Sequence, residues 1–146
     1  MNIEQAIRDV DSVLSDLNNI VVEAIMENEA EIIGLNISQL SEGFGASGNK
    51  LPEYESDEYF SAKKAQGLIE GAGRNYNLLL EGDFRSGFNI EKRGDQAWMD
   101  SKDDKTRRLE DLTNVDIFGI MPKNIPELLR LIFPALKRII LNKIIK

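Results

Sequence analysis

Seven apolar residues near the start of the chain, Ile3, Ile7, Val10, Leu14, Leu17, Val21 and Ala24, are spaced 4, 3, 4, 3, 4, 3. Such spacing repeats every seven residues and draws one stripe along an α-helix. Asp, Asn and Glu fill most of the opposite face, so a helix is expected over Ile3–Glu29. Val13, Ile20 and Ile25 widen the stripe, which suits packing on a sheet better than a bare two-helix seam. Read first, the stripe is a face turned to the core. Read second, it also packs on a neighbouring copy in an oligomer.

The 146 residues suit one domain, 1–146, which can bury a sizeable core without metal or disulfide staples. The chain has no Cys, so disulfides, thiolate zinc sites and thiol nucleophiles are excluded. It has no His, so Ser-His-Asp triads, His-ligated metals and an imidazole switch are excluded too. These two gaps argue against most familiar enzyme classes.

The net charge of −7 is unevenly spread. Residues 1–60 carry 13 acidic side chains against Arg8 and Lys50, a net of −11. Residues 123–146 carry Lys123, Arg130, Lys137, Arg138, Lys143 and Lys146 against Glu127, a net of +5. Opposed ends can be two solvated faces, or can attract within a subunit or head to tail between subunits. A pI near 4.7 argues against a dedicated nucleic-acid binder. No signal peptide is legible, and the most apolar stretch, Ile125–Ile145, is too polar for a bilayer span.

Further along, Glu31–Leu40 reads as either more helix or a short turn of one. Gly43, Gly45 and Gly48 open a long loop or arm, residues 41–74, with a short helix around Asp57–Lys64. A loop of that length is expected to be held by a partner or to have its own role. Residues 75–120 are expected to form a small sheet with a short helix. A run at Asn75–Leu80 leads to a β-hairpin of Ser86–Lys92 and Ala97–Ser101, turning at Arg93-Gly94-Asp95-Gln96. A helix is expected over Asp103–Leu112, and a strand or tight loop over Val115–Ile120. Asn124 is placed to cap a final helix, residues 123–146, in which Pro134 should kink or interrupt the chain near Arg130–Leu131.

Three motifs carry little chemistry. Gly43-Phe44-Gly45-Ala46-Ser47-Gly48 matches a dinucleotide fingerprint but lacks the strand before it, and Pro52 opposes the helix after it. Asp83, Asp100 and Asp103 could hold Mg²⁺ in a nuclease-like site, although acidic residues opening a helix explain Asp103 and Asp104 more simply. The basic C-terminal helix could lie on an anionic membrane, but core packing explains its apolar face equally well.

The middle of the chain carries an ordered string of short motifs. These are Gln39-Leu40-x-x-Gly43, Gly48-Asn49-Lys50-Leu51-Pro52-x-Tyr54, Tyr59 with Lys63, and Asn77-Leu78-x-x-x-Gly82-Asp83-Phe84. Asp103-x-Lys105-Thr106 and Ile117-Phe118-Gly119 follow. Over residues 30–122 this resembles small virion proteins of tailed bacteriophages, of the virion-morphogenesis and tail-completion (neck) type. Glu81 stands where that family usually has Ser or Thr, and its aromatic-His pair before Phe-Gly is absent.

The elements read above make an α+β fold, with a long N-terminal helix and a kinked C-terminal helix on a small, mainly antiparallel sheet, and the resemblance implies the same order of elements. It implies a structural component of the head–tail connector, located in the virion and assembled in the host bacterial cytoplasm. Its partners would be copies of itself in a ring and neighbouring virion proteins, with no specific nucleic acid, membrane, cofactor, metal or catalytic residue. A ring needs opposed surfaces on each subunit. The candidates for contact are the aromatic Tyr54, Tyr59 and Phe60 and the basic Arg130, Lys137 and Arg138. The runner-up is a cytoplasmic interaction or regulatory protein working through the N-terminal helix.

Overall fold

The computed structural model describes residues 2–68, 73–77, 83–102 and 117–145. The expected Asp103–Leu112 helix, part of the Asn75–Leu80 run, and Gly82 lie outside them.

The N-terminal region is helical well past Glu29, but in three segments: α1 (Ile3–Ser15), α2 (Leu17–Glu27) and α3 (Glu29–Ser41). One unbroken helix over Ile3–Glu29 is therefore corrected at both ends of α2. The breaks fall on Asp16 (φ −106°, ψ 12°) and Asn28 (φ −115°, ψ 26°). Both are residues whose side chains compete with the helical hydrogen-bond ladder. Asn28 donates to the Ala24 carbonyl at 2.8 Å, and Asp16 accepts from Asn19 at 2.7 Å. Asn2 caps α1 by accepting from the Gln5 amide at 2.7 Å.

At its far end α3 stops in a Schellman motif. The Gly43 amide reaches the Leu40 carbonyl and the Phe44 amide reaches that of Gln39, both at 2.9 Å. Gly43 sits at φ +83°, which a residue with a Cβ avoids. The described part of the long arm is held by the chain itself. Phe44 bridges Lys50, Glu53 bridges Asn75, and α4 (Asp57–Ala65) forms where the short helix was expected, capped by Ser56. A four-residue turn, α5 (Asp83–Ser86), follows.

Strands β1 (Phe88–Arg93) and β2 (Gln96–Ser101) pair antiparallel, with Arg93 opposite Gln96 and Phe88 opposite Ser101. Gly94 turns the corner at φ +64°. Among the described residues this hairpin is the whole sheet. The last helix, α6 (Ile125–Ile144), follows a 3₁₀ turn at Pro122–Asn124. It runs through Pro134 without interruption. The carbonyl that proline leaves unpaired belongs to Arg130, and both residues face solvent. Asn124 holds the cap position, but its side chain bonds Gln39 instead.

The chain is thus α+β. Helices α2 and α3 touch both the hairpin and α6. One apolar cluster joins Ile20, Ala24, Ile32, Ile90, Ile132 and Ile139. A second joins Leu40, Leu51, Phe88 and Ile117, with Phe118 edge-on to Phe88 at 5.2 Å. Glu29 accepts from the Ile90 amide at 2.9 Å, tying α3 to β1. No helix among the described residues is long and apolar enough to cross a membrane.

Candidate functional site

The motif residues gather into two buried polar clusters. In the first, α3 presents two amide side chains to the segment 117–121. Asn36 donates to the Ile117 carbonyl (3.1 Å) and accepts from the Gly119 amide (3.4 Å). One turn on, Gln39 donates to the Gly119 carbonyl (3.0 Å) and accepts from the Met121 amide (2.8 Å) and Asn124 (3.1 Å). The two amides stand in for the strand this segment lacks, which satisfies buried backbone groups that would otherwise cost stability.

Gly119 lies at φ +135°, and a Cβ there would meet the Ala46 Cβ at 3.2 Å. Gly48, at φ +88°, faces Pro122 and Met121, which a Cβ there would meet at ordinary contact distances of 3.8 and 3.9 Å. The Gly43–Gly48 arm is thus clamped onto the Phe118-Gly119 segment. Asn36 is a site residue that sequence reasoning missed. Its signal was an amide three residues before Gln39 on one helix face, among Ile32 and Leu40.

The second cluster is Tyr54, Lys63 and Asn77. Tyr54 is only 3% exposed, and Lys63 and Asn77 are buried with it. Lys63 Nζ donates to the Tyr54 hydroxyl and to Asn77 Oδ1 (2.6 Å), and Asn77 Nδ2 donates to the Leu68 carbonyl (2.8 Å). Arg85 donates to the Asn77 carbonyl at 2.5 Å. Burial pushes the Tyr54 phenol up to about 12. Pro52 extends this anchorage by accepting from the Tyr76 amide at 2.8 Å.

Tyr54 is therefore no surface anchor, which corrects its place among the contact candidates: its ring is spent inside the chain, against Tyr76 and Lys63. Tyr59 is exposed and Phe60 half-buried, with Arg74 over the Phe60 ring. Asp83 and Phe84 open α5.

The acidic and basic ends of the chain meet within the subunit at two ion pairs. Arg138 of α6 pairs with Glu27 of α2, and Lys143 with Asp16 at 3.5 Å. Glu27 raises the Arg138 pKa, while Asn19 first and then Lys143 hold the Asp16 carboxyl below its ordinary range. Arg130 pairs with Glu127 along its own helix and lowers that carboxyl. Lys137 is exposed and makes no ion pair among the described residues.

The surface carries the apolar groups that the core does not use. Ile3 is 78% exposed, Ile7 55% and Leu14 61%, with Val10 and Leu17 also exposed. The face of α1 turned inward carries Ala6, Asp9 and Val13, and of these only Asp9 and Val13 are buried. On α6, Leu129 and Phe133 stand out, the latter 63% exposed. An open groove of about 470 Å³ runs beside the hairpin, lined by Ile25, Ile32, Trp98, Met99 and Leu128 among others.

Of the three carboxylates weighed for Mg²⁺, Asp100 accepts from the Ser101 amide at 2.8 Å, and Asp103 lies outside the described residues. No group of three acidic, His or Cys side chains with metal-binding geometry occurs among the described residues. Compared with known proteins, the chain matches no family model, no curated protein and no solved structure.

Proposed function

We propose that this chain is a structural component of a tailed-phage virion, a tail-completion or head–tail connector protein that works by assembling with copies of itself and neighbouring shell proteins. Two observations support the reading together. Described residues of the motif string that resembles the neck proteins join in buried clusters, with Gln39 on Gly119 and Lys63 on Tyr54. The observation that carries the assembly mechanism is the apolar stripe of α1, which the subunit leaves in water. Exposed apolar patches of that kind mark contact surfaces.

The role needs shape and adhesion and no bond-making group. Acidic side chains on a ring's inner surface would repel phosphate and let DNA slide without sticking. Mass spectrometry of purified particles whose genome encodes this chain tests the reading. The chain should be present in stoichiometric copies beside portal and tail proteins; its absence from intact particles would refute the virion role. Magnesium-dependent DNA cleavage that disappears in Asp103→Ala would replace the reading with the nuclease alternative.

A further inference from the structure

The apolar stripe of α1 has a matching surface on another part of the same chain. We infer that α1 of one subunit docks on the outer ridge of α6 of the next, a heterologous contact between copies. The inference deepens the assembly reading and rests on it for the identity of the partner, a second copy.

Three observations converge. First, α1 is packed the wrong way round for a helix of a self-sufficient subunit. Its inner face buries one aliphatic residue, Val13, beside the carboxylate of Asp9, while Ile3, Ile7, Val10 and Leu14 face water. The stripe becomes buried only further on, at Ala24 of α2. The pairs Lys143–Asp16 and Arg138–Glu27 set α2 antiparallel to α6, which ends at Ile144. Helix α1 also touches α6 of its own subunit, and the stripe stays in water beside that contact.

Second, α6 exposes a ridge of its own, Leu129 and Phe133, on the flank about a right angle from its buried Ile132, Ala135 and Ile139. Third, the charges beside the two surfaces match in sign and spacing. At 100° per residue, Glu4 and Asp11 border the solvent edge of the α1 stripe, and Arg130 and Lys137 border the α6 ridge. Each pair is seven residues apart, about 10.5 Å along a helix, and lies on the same rotational side of its stripe, so both can meet at once when the two helices run antiparallel, Glu4 against Lys137 and Asp11 against Arg130. Arg130 already pairs with Glu127, but an exposed pair of that kind is easily exchanged.

Pairing α1 with another α1 in the same antiparallel way would instead set Glu4 and Asp11 beside their own copies, where like charges repel. The heterologous contact leaves every subunit with one free α1 and one free ridge, so addition continues until a ring closes.

The decisive experiment is a complementation of two exposed-site variants, followed by light scattering, with circular dichroism to confirm that each is folded. The wild-type chain should scatter as an oligomer well above 16.5 kDa. Leu14→Asp and Phe133→Asp should each be monomeric alone, because each lacks one half of the contact. Mixed in equal amounts they should form a 1:1 dimer, since the first keeps its ridge and the second its α1. If either aspartate variant loses its fold, the milder Ile7→Ser and Leu129→Ser repeat the comparison.

A monomeric wild type, or a mixture that stays monomeric, overturns the inference, as does a Phe133→Asp chain that still dimerises alone through α1. These failures are distinct from failure of the virion role. A monomeric chain found in particles sinks only the self-contact, and a self-assembling chain missing from particles sinks only the virion reading.

Discussion

Helices α1 and α3 are both thirteen residues long and lie on either side of α2, yet they treat polar and apolar groups in opposite ways. On α3 the inward positions include Asn36 and Gln39, fully buried and bonded to the 117–121 segment and Asn124. Polar groups there belong to the fold because each finds its partner within the chain. On α1 the buried positions are only Val13 and the carboxylate-bearing Asp9, while four large aliphatic residues are exposed. Burial of such a side chain is worth about 1.5–3 kcal/mol, and on α1 most of that remains unrealised in the single subunit. A helix whose polar residues are satisfied is finished. A helix whose apolar residues are wet has a contact still to make.

The sharpest way to break this comparison is to truncate one leucine from each helix. Leu40→Ala, at a fully buried site on α3, should cost about 2–5 kcal/mol in denaturant unfolding of the chain kept monomeric by Phe133→Asp. Leu14→Ala on α1 should cost less than about 0.5 kcal/mol under the same conditions. If Leu14→Ala destabilises the monomer as much as Leu40→Ala, α1 is part of the subunit core and the comparison fails.

Gln39→Ala tests the amide clamp. It strips partners from the Gly119 carbonyl and the Met121 amide, and should cost about 2–6 kcal/mol at one to three per buried group left bare. Amide exchange at Met121 should accelerate in the variant, whereas an unchanged rate would show that the clamp does not hold this segment.

The Tyr54 cluster adds a pH dependence of somewhat smaller size. Its phenol is raised from 10.0 to about 12, so the folded chain favours the neutral form. That contribution is complete below pH 10 and is lost as pH rises through about 12, because the unfolded chain releases the proton first. Urea midpoints should fall across this window, and Tyr54→Phe should flatten the fall while losing about 1–3 kcal/mol at neutral pH. An equally steep fall in Tyr54→Phe would place the dependence elsewhere.

What could be read from the residues follows from how local the causes are. The hairpin was legible because Gly94 and a period of two act over a few neighbours, and α4 fell where expected for similar reasons. The stripe of α1 was legible as a stripe, but a seven-residue period says which side chains share a face and nothing about what covers that face. Helix α3 looked ambiguous because two of its inward positions are amides, and their partners lie some 80 residues away. Tyr54 looked like a surface anchor because its partner, Lys63, is a residue type usually found in water. The breaks at Asp16 and Asn28 were visible only in hindsight as polar residues whose side chains bond the neighbouring turn.

The smallest effect concerns the clasp that joins the two charged ends. Asp16 is held below the ordinary carboxylate range by Asn19 and Lys143, so it stays ionised in the fold more readily than in the unfolded chain. A depressed acid of this kind stabilises the fold above its unfolded pKa and loses that contribution as pH falls through the folded one. The groups are exposed, so the change in overall stability should be slight and salt-dependent. Its local consequence is larger than its energy, because Asp16 sits at the joint between α1 and α2. Asp16→Asn should leave the melting temperature nearly unchanged while raising amide exchange in α1 at neutral pH, and the wild type should show the same exchange only in acid. If exchange in α1 ignores both the substitution and the pH, the angle of α1 is set by Val13 in the core and not by the charges at Asp16.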